Sequence, residues 1–236
     1  MFTLFGLQPP DRVLVVAAHP DDETLGMGGT IAALTDAGIG VDVLAVACTS
    51  GVMHGGVSDT EVRSREFDRA CTVLQVARRR LAWIDTDRAH GLPSWPAEIV
   101  RLIESGEEVS LAASRPAALF LPAGGHHHDH RAVHAAALAA VRPGHRPDRP
   151  LPKLVAGYDG PEDRCWSTAD AARPLVVDIS DYTPTKTKAL RCYASQLRDD
   201  PHPRSLAKVT ALDLAAGAVI GVQAAERFAL YRMVAS

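Results

Sequence analysis

The chain has 236 residues, 47% of them apolar and 22% charged, which describes one soluble globular domain or two very small ones and excludes disorder as its main character. Its formal charge of −3 provides no basic field of the kind that neutralises a phosphate backbone, so nucleic-acid binding is disfavoured. One count stands out: five of the ten histidines lie between His126 and His134, in HHHDHRAVH. Histidine is the commonest metal ligand and a frequent acid or base near neutral pH, so function is sought there first.

In chain order, MFTLFGLQPP lacks a basic region and a small-residue cleavage pattern and is not read as a signal peptide. RVLVVAA (12–18) is a continuous run expected of a strand buried on both faces. HPDDETLGMGG follows and leads into a helix through IAALTDAG, with Gly38 as its C-terminal stop. VDVLAVA (41–47) reads as a second buried strand and TSGVMHGGVSD as a polar loop. The spacing predicts a helix over 59–74, a third strand at LAWI (81–84), and a helix at PAEIVRLIES with Pro96 in its first turn. ALFLP (118–122) is a fourth strand, followed by the histidines and an Ala-rich helix, AVHAAALAAV.

A Pro/Arg-rich loop, RPGHRPDRPLP, is a candidate boundary before the last third of the chain. Beyond it KLVAGYDG and PLVVDIS look like strands and TKTKALRCYASQL like an amphipathic helix. The stretch from Ser205 to Val234 looks like a helix followed by a short helix or strand. This alternation predicts an α/β protein, a three-layer Rossmann-like fold with a mostly parallel sheet and helices on both faces. We read one domain over 1–236 with a C-terminal elaboration from about residue 151. Cys48, Cys71, Cys165 and Cys192 are far apart, with no CxxC pair, which points to reduced thiols and a cytoplasmic protein. LAAGAVIGV is too short to span a bilayer, so no membrane partner is expected.

The sharpest local feature is AHPDDE (18–23), placed where a buried strand ends and a helix begins. In open parallel sheets ligands collect at the carboxyl ends of strands. His19 and Asp22, three apart across a tight turn, can aim at one ion, while Asp21 between them stays free for proton transfer. A catalytic zinc usually has three protein ligands and a water, and the histidine cluster, also just after a strand, can supply the third. Each segment has a plainer reading: a solvent-facing His19, an N-cap and first-turn acid at Asp21 and Asp22, or His130 and His134 on an exposed helix face. Two such segments at two strand ends favour the metal site. The stretch GMGGT (26–30) raises the alternative of a nucleotide-binding protein, but its glycines lie about eight residues past the strand end, not at the turn. They fit close packing of the first helix on the sheet.

AHPDDE together with the later H-x-D-H, here His127-His128-Asp129-His130, resembles the PIG-L/LmbE-type zinc-dependent deacetylases, along nearly the whole chain. The resemblance implies removal of an acetyl group from an N-acetylglucosamine conjugate, with Zn2+ held by His19, Asp22 and His130 and with Fe2+ as another ion such donors take. It implies Asp21 as general base, His127 near the substrate carbonyl and Asp129 as its orienting acid or a supporting group. RSREFDRACTVL is similar to the family's R-x-x-E-x-x-x-A-x-x-x-L helix, which selects Arg63 for the substrate, and Asp85 matches an acidic position at the site rim. KALRCYASQL and AAERFALYR resemble two late segments of the family. His128 stands where proline is common, and MHGG, with His54, stands where relatives often carry an acidic stretch.

In the implied reaction Asp21 takes the proton of the attacking water, and the oxyanion is held by zinc and a protonated His127 favoured by Asp129. The proton for the leaving amine comes from Asp21 or His127. The expected partner is a small amino-sugar conjugate, with monomer and homo-oligomer both open. Two other readings remain: a metal-dependent amidase of a thiol-sugar conjugate in the same fold, and a protein that binds metal or nucleotide without catalysis.

Overall fold

In the computed structural model, which describes residues 4–53, 56–144, 151–163 and 175–235, the first apolar run forms β1 (Arg12–Ala17). Successive side chains of a strand point to opposite faces. Val13, Val15 and Ala17 therefore enter one core and Leu14 and Val16 the other. Burial on both faces is why β1 shows no polar alternation. The chain then turns into α1 (Asp22–Asp36) and returns as β2 (Gly40–Cys48), parallel to β1. Gly38 takes φ +77 just past the end of α1, as its place in the sequence suggests.

The glycines of α1 are needed for packing. A Cβ on Gly26 would lie 2.2 Å from Tyr158 Cδ2, and one on Gly29 would lie 2.8 Å from three carbons of Ile179. The helix kinks at Met27, where φ is −149°.

Within the stretch expected as a loop, Gly51–Met53 (β3) and Gly56–Ser58 (β4) pair antiparallel as a short hairpin with Val52 and Val57 exposed. His54 lies outside the described residues. Asp59 caps α2 (Thr60–Val73) by accepting from the N–H groups of Glu61 and Val62. The third parallel strand, β5 (Arg78–Ile84), starts three residues before the expected LAWI, at three arginines. It is an edge strand, where charge is tolerated, and Arg78 reaches sideways to Asp42.

The chain continues through α3 (Pro96–Ser105), the short α4 (Leu111–Ser114) and β6 (Ala118–Pro122), which pairs parallel with β1 on its other side. The next helix, α5 (His128–Ala140), begins inside the histidine cluster, four residues before the Ala-rich run. His127 is its N-cap, its ring Nδ1 accepting the Asp129 N–H at 3.3 Å.

After β7 (Leu154–Tyr158) come β8 (Leu175–Asp178), α6 (Thr183–Leu190), α7 (Leu206–Ile220) and β9 (Ala225–Met233). The helix expected to reach Leu197 ends at Leu190 and continues as turns, and the last segment is a strand. The seven-stranded sheet has the order β5-β2-β1-β6-β7-β9-β8, parallel through β7, with β9 antiparallel to both of its neighbours. One core holds Ile31, Leu34, Phe67 and Tyr193 from α1, α2 and the turns after α6, and the other holds Ile99, Ile103, Val133 and Ala137 from α3 and α5. The three-layer α/β expectation is met.

Two buried polar clusters brace the layers. At the amino ends of the strands Asp42 accepts from both Arg12 and Arg78. Beneath α1, Lys186 Nζ lies 2.7 Å from Asp213 Oδ2 and 2.7 Å from Glu226 Oε1. Glu226 also accepts from the N–H groups of Gly29 and Thr30 and from the Thr30 hydroxyl. Cys48, Cys71 and Cys192 are free thiols, and Cys165 lies outside the described residues. Among the described residues no helix is long and apolar enough to cross a membrane.

Candidate metal and active site

The sheet order reverses between β1 and β6: the chain moves from β1 towards β2 and β5 on one side, and from β6 towards β7 on the other. A crevice opens at the carboxyl ends of two strands whose connections diverge. His19 follows β1, and the histidine cluster follows β6. The topology thus brings together residues 110 positions apart, with His19 Nε2 3.0 Å from Asp129 Oδ2.

One ligand atom from each of His19, His127 and His130 lies within 4.8 Å of the others, so the three converge as a metal cluster would. Asp22 joins two of them. Its Oδ2 is 3.6 Å from His19 Nδ1 and its Oδ1 is 3.2 Å from His130 Nε2. Asp22 Oδ2 also accepts the His19 backbone N–H at 2.8 Å, which fixes the tight turn. His130 Nε2 is buried yet makes no aligned hydrogen bond. A buried imidazole nitrogen is rarely left that way, and here it faces a carboxylate and two other imidazoles, the donor set of a divalent ion.

The electrostatics agree. Burial disfavours a charge on His130, but Asp22 and Asp163 overcome it and push its pKa up to about 10. Burial likewise opposes ionisation of Asp22, yet His130 and His19 hold its carboxyl well below the usual range. The cage is built for positive charge.

Asp163 was not anticipated from the sequence. It sits in the turn after β7 with Oδ2 3.4 Å from His130 Nδ1, while its Oδ1 accepts the His126 N–H at 2.9 Å. Gly125, at φ +85, leaves room for this approach, since a Cβ there would lie 2.2 Å from the Asp163 Cγ. A metal-binding histidine usually has such a carboxylate on its second nitrogen.

Asp21 is 2% exposed and has φ +114, an uncommon backbone state for a residue other than glycine. Glu23, fully buried, accepts the Asp21 N–H at 3.2 Å. Glu23 in turn accepts from Tyr193 Oη at 2.6 Å and Thr24 Oγ1 at 2.7 Å, and burial pushes its pKa up to about 7. Burial raises the Asp21 carboxyl too, opposed by Arg204. Asp21 Oδ2 lies 3.3 Å from Arg204 Nη1, and Oδ1 is buried without a partner among the described residues.

Asp129 was expected as the orienting acid of His127 or as a supporting group. Its Oδ2 lies 3.0 Å from His19 Nε2 and 3.9 Å from His127 Nδ1, which accepts the Asp129 N–H. Burial and the neighbouring His19 and His130 lower His127 to about 4. His127 is therefore neutral, with Nδ1 as an acceptor and its proton on Nε2.

Arg63 is buried and donates to the Pro20 carbonyl at 3.1 Å, with its Nε unpartnered. Asp85 spends its oxygens on Ser50 and Thr60, at 2.8 Å to Ser50 Oγ and 2.9 Å to Thr60 Oγ1, and so ties the hairpin to the end of β5. His126 and His128 are exposed, and His134 Nδ1 lies 2.9 Å from the Pro122 carbonyl.

Fold and site together define an α/β protein with a candidate metal centre at its topological switch point. The chain belongs to the PIG-L family, described as GlcNAc-PI de-N-acetylase, which matches residues 14–141. It is 32% identical over 197 residues to a diacetylchitobiose deacetylase of Thermococcus kodakarensis, an alignment covering 80% of this chain and 71% of that one. It is 29% identical over 243 residues to a 1D-myo-inositol 2-acetamido-2-deoxy-alpha-D-glucopyranoside deacetylase of Saccharopolyspora erythraea, covering 81% of this chain and 80% of that one. A conserved protein of Thermus thermophilus has a crystal structure that matches with a TM-score of 0.73 and 26% identity, over 95% of this chain and 96% of that one.

Proposed function

We propose that the protein is a metal-dependent N-deacetylase that hydrolyses the acetamide of an N-acetylglucosamine-type conjugate. The observation that carries the reading is the convergence of His19, His127 and His130, with Asp22 against His19 and His130, beside an Asp21 whose Oδ1 is buried without a partner among the described residues. Zinc held by His19, Asp22 and His130 would supply Lewis acidity and lower the pKa of a water to about 7.

The remaining chemistry belongs to the chain. Asp21 accepts the proton of the attacking water at Oδ1, because Oδ2 is engaged by Arg204. His127, with its Nδ1 occupied, donates from Nε2–H to the oxygen of the acetamide as negative charge develops there. The proton for the leaving nitrogen is then the one Asp21 has taken, since the single ring proton of His127 is committed to the oxyanion. Asp129 orients His19. Arg63 is assigned to the sugar head by its place in the R-x-x-E helix, and Asp85 shapes the rim by holding Ser50 and Thr60.

The test is acetate release from a panel that includes N,N'-diacetylchitobiose and an N-acetylglucosaminyl inositol, with and without a chelator, alongside zinc content. Zinc-dependent release that is abolished in Asp21→Asn, with metal retained, is the expected result. A zinc-loaded protein that releases acetate from none of them overturns the deacetylase reading, and near-normal turnover by Asp21→Asn overturns the base.

A further inference from the structure

Arg204 lies in the turns between α6 and α7, 183 positions from Asp21 in the chain, and no sequence motif singled it out. It touches two acids. Its Nη1 is 3.3 Å from Asp21 Oδ2, and its Nε donates to Glu162 Oε1. Glu162 and Asp163 are adjacent in the turn after β7, so that turn reaches the base through Arg204 and the metal cage through His130.

We propose that Arg204 is a positioning residue for Asp21: it fixes one carboxylate oxygen so that the other, Oδ1, faces the reacting water. The inference rests on Asp21 being the base. A carboxylate turns readily about its last torsion, which is a broad two-fold well. In Asp21 the backbone is fixed by the Glu23 contact to its N–H, and the one side-chain partner among the described residues is Arg204. Oδ1 has none. The two oxygens are therefore inequivalent, and among the described residues the hydrogen-bonding difference between them comes from Arg204. A guanidinium is planar and presents its donors in a fixed fork, so anchoring Nε on Glu162 also sets the direction of Nη1. A lysine would keep the charge and lose that direction.

The experiment uses the intact metal-loaded protein with Arg204→Met, Arg204→Lys, Glu162→Gln and Asp21→Asn. In Arg204→Met, kcat falls about 10²-fold, the size of effect that a misplacement near 1 Å produces. KM and bound metal stay as in the parent. Arg204→Lys recovers part of the loss, as does free guanidinium added to Arg204→Met, and Glu162→Gln gives a smaller loss in kcat alone. On the Asp21→Asn background Arg204→Met adds nothing, because the group it positions is already gone. A crystal structure of Arg204→Met shows the Asp21 carboxylate rotated or split between orientations, with His19, Asp22 and His130 in place.

Parent-like kcat in Arg204→Met overturns the proposal, as does a rise in KM with kcat kept, which would make Arg204 a substrate contact. An Asp21 carboxylate that keeps its single orientation in the crystal overturns it without reference to activity. If Asp21→Asn is itself active, the base assignment fails and the proposal with it. If Asp21→Asn is inactive and Arg204→Met is not, only the positioning role fails. Should Arg204→Met not fold, Arg204→Lys and Glu162→Gln carry the same comparison.

Discussion

Replacing Asp163 with asparagine separates the metal reading from a purely structural one. The carboxylate has two partners, His130 Nδ1 at 3.4 Å and the His126 N–H at 2.9 Å. Both are donors when the His130 proton sits on Nδ1, which leaves the Nε2 lone pair for an ion. Asparagine offers one oxygen and one NH2, and it cannot accept from both. If its oxygen stays on His126, its NH2 faces Nδ1, makes Nδ1 an acceptor and drives the ring proton onto Nε2, the nitrogen that must bind metal. If its oxygen faces Nδ1, the His126 N–H is opposed by another donor, and the loop carrying the histidines loosens. Removing such a supporting group typically costs 10–100-fold in metal affinity, about 1.4 to 2.7 kcal/mol. The tautomer argument places Asp163→Asn towards the upper end. The assay is competition for zinc against a chromophoric chelator, with thermal denaturation of the metal-free proteins beside it. A zinc affinity within about twofold of the parent would refute both the orientation of His130 and its use as a ligand.

Lys186→Met removes the buried ammonium that Asp213 and Glu226 share, and should lower stability by about 3 to 5 kcal/mol in urea titration; a loss under about 1 kcal/mol would show that water or rearrangement neutralises the site. Gly26→Ala places a carbon 2.2 Å from the ring of Tyr158, whose hydroxyl is tied to the Val16 carbonyl at 2.8 Å, so the helix must shift at a cost of about 1 to 3 kcal/mol, with turnover falling as the AHPDDE turn moves. Burial works against the Asp42 charge, but Arg78 and Arg12 hold its carboxyl below the ordinary value. Its contribution is therefore complete above the unfolded pKa of about 3.9 and is lost as pH falls through the lower folded value. The stability gap between the parent and Asp42→Asn should be constant from about pH 7 to 5 and should close below about pH 4; a gap that widens on acidification would reverse the assignment.

The parts of this protein that were legible in the sequence are those written in local pattern. The run from Arg12 announces a doubly buried strand, and AHPDDE and HHHDH announce themselves by falling at strand ends. The close packing expected of GMGG is seen against Tyr158 and Ile179. The start of α5 was misplaced because a histidine is a poor helix signal, whereas here the His127 ring acts as the cap. The start of β5 was misplaced because three arginines read as surface until Asp42 is known to lie beside them. Asp163, Glu162 and Arg204 were missed for a different reason. Each meets its partner across 33 to 183 residues, and nothing in an isolated acid or arginine tells which distant group it will face.

The Asp42 clamp stands near the amino end of the sheet and His19 at the carboxyl end, with Leu14 of β1 in register with Asp42. Five residues of strand at about 3.3 Å each put roughly 16 Å between the two levels. Groups that far apart without shared partners change stability and turnover additively. The clamp, the strand ends around it and the loops beside it can thus be hardened against heat or acid without altering the crevice, and the crevice can be re-cut without drawing on the reserve that keeps the sheet folded. The length of a buried strand is, in this protein, what lets durability and selectivity be tuned as separate properties.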